Sequence, residues 1–177
     1  MAKHNLEEVR SEFNRLDRLC NIDSSGLDLR ISCRGIQQYG CCKYKKTGRW
    51  GNVVPYAITF SDFLMDCEEQ FWDTVRHEYA HALVAIRTGK AHGHDAIWKK
   101  ACLEVGCRPE RIANDPEAGR MSADRRAQKE KYEVRCLNCH RVWRYTRAGK
   151  VVRSLQKDSS CTCPCGSKKL ILFYLNQ

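Results

Sequence analysis

The segment Thr74–Leu83, TVRHEYAHAL, constrains the fold more than any other stretch of this chain. His77 and His81 stand four residues apart, and on an α-helix that spacing puts both imidazoles on one face, where they can serve one metal ion. Glu78 then projects beside the ion rather than onto it, placed to take a proton from a metal-activated water. Zinc lowers the pKa of such a water to about 7, and hydrolysis asks for three protein ligands with one position left open. The fold must therefore carry a third ligand to this helix.

Local spacing does not supply it. A histidine ten residues after His77, preceded by glycine at the seventh, would complete one familiar arrangement, but Arg87 and Val84 occupy those positions. Downstream, GKAHGHDAIWKKA offers His92 and His94, and Glu104 lies further along. His94 abuts a helix whose apolar face (Ile97, Trp98, Ala101, Val105) should pack on the long helix and carry the imidazole with it. His94 is accordingly favoured over His92, with Glu104 third.

The surrounding pattern predicts an α+β core. Leu6, Val9, Phe13, Leu16 and Leu19 recur at spacings of three and four, so residues 5–20 should be an amphipathic helix. Residues 26–34 alternate apolar and polar and 53–60 are β-branched and aromatic; Thr47-Gly48 marks a hairpin-like turn between them. Together they predict a small antiparallel sheet, with Pro55 suited to an edge or early strand position. Ser61-Asp62 starts a short turn, and Asp66–Arg87 should be one long helix burying Phe71, Val75, Ala82 and Ile86. A helix from about Asp95 to Val105 follows, stopped by Gly106 and Pro109. Residues 1–115 are read as the core, 116–131 as a linker or covering segment, and 132–177 as a small β-rich module.

Twelve cysteines in a chain with no recognisable secretory leader point to metal binding rather than to disulfides. Cys20, Cys33, Cys41, Cys42, Cys67, Cys102 and Cys107 have no ligand-like spacing and read as small buried residues. The other five cluster. Cys136-x-x-Cys139 is a metal knuckle, and Cys163 with Cys165, followed by Gly166, forms its other half, with Cys161 as the alternative ligand and His140 as an outside candidate. Four cysteines leave no open position, so this zinc would be structural, stapling a module too small to hold a core unaided.

Charge is divided unequally. Residues 1–98 carry 13 Lys+Arg and 13 Asp+Glu, whereas residues 99–177 carry 18 against 8, so the whole net charge of +10 lies in the C-terminal part. Such a field suits a polyanion, nucleic acid first. Arg141, Arg144, Arg147, Lys150 and Arg153 are interleaved with Trp143 and Tyr145, a pattern that suits a strand pair binding phosphates and stacking a base. No run approaches 18 apolar residues, which argues against a membrane partner. An intracellular monomer is the expectation.

These features together resemble the SprT-like family of zinc metallopeptidases, which includes the Spartan-type DNA-dependent proteases. The resemblance rests on HEYAH (77–81), GHDAIWKKACLEVG (93–106), AITFSDFL before the long helix, and the zinc-ribbon-like ending. It implies a zincin-like core, a catalytic zinc on His77, His81 and His94, Glu78 as base, and a protein substrate crosslinked to or bound on DNA. Trp98 stands where the family usually has Phe, and the second cysteine half is compressed to Cys-Pro-Cys-Gly. The alternative is a non-enzymatic nucleic-acid-binding protein with a zinc ribbon and a relic zincin core.

Overall fold

A computed structural model describes residues 4–33, 38–48, 51–110 and 116–175. The expected strand end at Arg34, the Arg49–Trp50 part of the turn and the expected core boundary at Asp115 lie outside the described residues. The chain divides into two compact units, residues 1–122 and 123–177.

The first unit begins with helix α1 (Leu6–Cys20), started by a capping box in which the Asn5 side chain accepts from Glu7 and Glu8 N–H while Glu8 reaches back. Val9, Phe13, Leu16 and Cys20 form its buried stripe, whereas Leu19 falls outside it and is exposed. Strands β1 (Asp28–Ser32), β2 (Gly40–Lys46) and β3 (Val53–Ser61) form a sheet in the order β1-β3-β2. Here the structure corrects the sequence reading. β2 and β3 are antiparallel, as their hairpin requires, but β1 runs parallel to β3, so the sheet is mixed. Alternation shows that a strand has a buried face; it carries no information on the direction of its neighbour.

β3 is the central strand, which makes Pro55 the position to explain. It sits third in β3, ahead of the β1 ladder that begins at Ala57, and opposite the irregularity between Lys43 and Tyr44, so no regular ladder bond is lost. At the hairpin, Thr47 N–H donates to Asn52 O and Gly48 adopts φ +75°, a conformation favouring glycine.

After a 3-10 turn (Asp62–Asp66), helix α2 (Glu68–Thr88) runs 21 residues to Gly89, which closes it in the left-handed conformation. Phe71, Val75, Tyr79, Ala82 and Leu83 are buried against the sheet and α1, but Ile86, expected inside, is exposed. Helix α3 (Ala96–Val105) packs on α2 through Trp98, Ala101, Cys102 and Val105, with Ile97 on its outer side and not in the packed face. Both departures lie at the margins of an apolar stripe, where periodicity alone does not decide burial. Of the seven upstream cysteines, Cys20, Cys67, Cys102 and Cys107 are buried, Cys41 and Cys42 are half-buried, and Cys33 is exposed.

The stretch after Cys107 includes helix α4 (Pro116–Gln128), whose Ala118 is buried in the first unit's core. In the second unit, β4 (Tyr132–Cys136) pairs antiparallel with both β5 (Val142–Tyr145) and β6 (Leu170–Tyr174). Helix α5 (Lys150–Gln156) lies between β5 and β6 in sequence, so the basic stretch is one strand followed by one helix, not a strand pair. Val151, Val152 and Leu155 supply the helical spacing that the intervening basic residues mask. No described helix is long and apolar enough to cross a membrane.

Candidate metal centres

Helix α2 places His77 and His81 on one face, their ring centroids 5.1 Å apart. The loop after Gly89 brings His94 to the same point, its centroid 5.3 Å from His77 and 5.0 Å from His81. One nitrogen from each of the three rings lies within 4.8 Å of the others. Trp98, fully buried on α3, underlies all three at 4.5–5.0 Å and stacks nearly parallel to His81. The position of Trp98 follows from Asp95, the α3 N-cap, which accepts from Ile97 and Trp98 N–H.

Burial among these rings holds His77 and His81 in their neutral, lone-pair-bearing form. It pulls His77 down to about 4, with His94 adding to the effect, and His81 to about 3, with His77 and His94 adding. Three converging imidazoles, two of them held neutral by burial, make a metal site's donor set. The spacing agrees. Tetrahedral zinc with nitrogen ligands at about 2.0–2.1 Å separates neighbouring nitrogens by about 3.3–3.4 Å, and His77 Nε2 lies 3.3 Å from His94 Nε2.

Glu78 is 6% exposed and sits against β2. The Cys42 backbone N–H donates to its carboxylate, while burial dominates and pushes its pKa up to about 8. Gly40 makes the approach possible, since a Cβ there would lie 2.6 Å from Glu78 Cγ. A cleft of about 640 Å³ opens over this arrangement, bounded by β2 on one side and α2 on the other, with His92, Arg108 and Glu110 along its wall. At one end, Arg108 is held by Asp73 and by the buried Gln70, and Gln70 in turn bonds Thr74.

The other two ligand candidates are engaged elsewhere. Arg87 grips both oxygens of Glu104 at 2.7 Å. His92 lines the cleft but turns Nδ1 to Asp95 at 2.7 Å. Gly40, the Cys42 amide and the Arg108 network have no signature in the sequence; a lone glycine before two cysteines is the only trace of the first.

In the second unit, the sulfurs of Cys136, Cys139, Cys163 and Cys165 lie within 4.8 Å of one another. Zinc–sulfur bonds of about 2.3 Å set neighbouring sulfurs roughly 3.8 Å apart; Cys136–Cys165 is 3.7 Å and Cys139–Cys163 is 3.5 Å. Backbone N–H groups of Cys139 and Asn138 hold the Cys136 thiol well below its ordinary range, as a thiolate ligand requires. Gly166 takes φ +85° in the closing turn. Cys161 instead faces the Val151 carbonyl at 3.9 Å, and His140 is exposed at a left-handed turn position, φ 56°.

The basic residues do not form one stripe. Trp143 and Tyr145 pair with Val134 and Tyr132 and share their face of the sheet, which Gln156 of α5 also contacts through Tyr174. Arg144 is on the opposite face, bound to Glu133 at 2.9 Å, with Arg135 bound to the same carboxylate and lying over Phe173. Arg141 precedes β5 with its guanidinium 6.0 Å from the Trp143 ring, Arg147 is in the turn after it, and Lys150 and Arg153 are on α5. Sequence reading missed Arg135 and Phe173, which alternation on β4 and β6 could have indicated.

Comparison with curated proteins finds no match for the chain. The sequence pattern of the SprT-like family, a metallopeptidase-like family, matches residues 6–118, a span that holds α1, the mixed sheet, α2, α3 and every residue of the histidine centre. The chain belongs to the SprT-like family.

Proposed function

We propose that the chain is a zinc-dependent endopeptidase with a zincin-like core, acting on proteins held on DNA. The observation that carries the reading is the buried Glu78 carboxyl, seated on β2 beside three converging imidazoles and open to a cleft. His77, His81 and His94 would hold the ion; zinc supplies there a Lewis acid that polarises a carbonyl and acidifies water. Glu78 then takes the proton of the attacking water and delivers it to the leaving nitrogen as the C–N bond breaks. A bound zinc's positive charge would favour the carboxylate, offsetting the burial that raises the carboxyl in the zinc-free site and leaving Glu78 able to take the proton. The Cys42 N–H and the Gly40 surface keep it from rotating away, and Trp98 closes the floor of the site to water. The four cysteines would hold a second, structural zinc.

The DNA half of the reading rests on charge. Residues 123–177 carry 13 Lys+Arg against 4 Asp+Glu. The sheet face bearing Arg135, Arg144 and Phe173 offers exposed guanidinium groups beside an exposed ring. Arg141, Arg147, Lys150 and Arg153 add further phosphate partners, and Trp143 is half-buried on the other face.

The test compares zinc-loaded wild type with Glu78→Gln on a DNA-bound protein substrate, with and without the DNA. Loss of cleavage in the variant is expected; equal cleavage by the two would remove Glu78 from the mechanism, and no cleavage by either would favour the binding-protein alternative. Cleavage indifferent to DNA would leave the peptidase and remove the DNA.

A further inference from the structure

His92 is the histidine that the metal centre does not use, and its contacts give it another task. Its Nδ1 faces Asp95 Oδ2 at 2.7 Å, while Asp95 Oδ1 accepts from Ile97 N–H at 3.1 Å and Trp98 N–H at 3.0 Å. The two side chains close a small ring across Gly93 and His94, the ligand between them. Gly93 has open space around the position of its missing Cβ, so that position itself contributes no packing to the loop. One carboxylate thus fixes the loop with one oxygen and the start of α3, hence Trp98, with the other. The His92 backbone carbonyl faces the His81 ring, although no hydrogen bond closes on His81 Nδ1.

We infer that His92 and Asp95 form a positioning clamp for the histidine centre, presetting His94 for the ion without coordinating it. This rests on the metal-site reading above. The contact uses the Nδ1–H of His92 as donor to a carboxylate, the partner that commonly orients a metal-site histidine, here applied one step away from the ligand.

The experiment is a competition titration of the full-length chain against a chromogenic chelator, the histidine step being the one abolished by His77→Ala. His92→Leu removes the clamp. Asp95→Ser also removes it, yet keeps a side chain able to cap α3, which separates the clamp from helix stability. Each should weaken zinc at the histidine step roughly tenfold or more. The double variant should be no weaker than either single, because both break the same contact. His92→Asn, whose amide can still donate to Asp95, should stay within about threefold of wild type, by the same reasoning. Unchanged affinity in the single variants, or additive losses in the double, overturns the clamp while leaving the site intact. A wild-type chain with no histidine step overturns both readings.

Discussion

Glu78 lies so close to the backbone of β2 that Gly40 has no room for a side chain: a Cβ would stand 2.6 Å from Glu78 Cγ and 2.7 Å from Oε1. Gly40→Ala should therefore push the carboxyl off the Cys42 N–H without touching any imidazole. We expect kcat to fall at least tenfold, since small misplacements of a catalytic group cost up to about 100-fold, with zinc content unchanged. Kinetics on a peptide substrate beside metal analysis checks this; a variant that loses zinc and activity together would point to a wider collapse.

The buried carboxyl also makes stability depend on pH in the zinc-free chain. The folded state keeps the Glu78 proton to about pH 8, whereas the unfolded chain releases it near 4.5, so this contribution is whole below pH 4.5 and fades as pH rises toward 8. Glu78→Gln should then have a higher urea midpoint than wild type at pH 8 and an equal one below pH 4.5. Identical midpoints at pH 8 would refute the burial argument.

His77 and His81 act at the other end of the scale. Each stays neutral in the fold down to about 4 and 3, while the unfolded chain protonates near 6.5, so zinc-free stability should fall as pH drops below 6.5. Replacing both by Gln should flatten the urea midpoint between pH 6.5 and 4.5. A slope as steep as that of wild type would assign the acid sensitivity to other groups.

Two metals per chain are expected, one at each centre. His77→Ala and Cys136→Ser should each remove one zinc, whereas Cys161→Ser and Glu104→Gln should remove none, given their engagement with Val151 and Arg87. Metal analysis of the four purified variants decides it. Loss of zinc on Cys161→Ser would reassign the structural site.

Nucleic-acid binding, if the second unit provides it, should weaken steeply with salt. Neutralising Arg147 and Arg153 should reduce the salt slope by roughly 0.7 per lost phosphate contact on a single strand. Phe173→Ala should instead weaken binding about tenfold at every salt concentration, as loss of a stacking platform does. Fluorescence anisotropy at four ionic strengths separates the two; a flat salt response would remove the polyanion from the proposal.

Much of the first unit is legible in its sequence because helices with an apolar stripe announce themselves. α1, α2 and α3 begin and end close to where Asn5, Gly89, Asp95 and Gly106 place their caps. Sheet direction is not legible, because the parallel pairing of β1 with β3 is decided by packing between segments far apart in the chain. The histidine grouping follows from one helix and the loop behind it: His94 is favoured over His92 only on the packing of the following helix, whereas His77 and His81 could be named from spacing. The seat of Glu78 could not, since it joins residues 38 positions apart through a missing atom and a backbone amide. The basic stretch misleads for a related reason: frequent Arg and Lys hide the short helical period of α5, and the sheet then sends neighbouring residues to opposite faces.

The reverse side of α2 carries a consequence of its own. Tyr79, next to Glu78, donates to Asp17 of α1 at 2.7 Å; Arg76, next to His77, reaches Glu12 at 2.9 Å; and Arg87 donates to the Cys20 carbonyl. Neighbouring positions on a helix point about 100° apart, so these three ties fix the angle at which the imidazoles meet the cleft. A turn of α2 by one residue would satisfy none of them. The aim of the histidine face is thus set from behind, by a helix that carries none of the residues of the metal centres, and loss of Glu12 or Asp17 would turn the imidazoles while leaving the buried stripe of α1 in place.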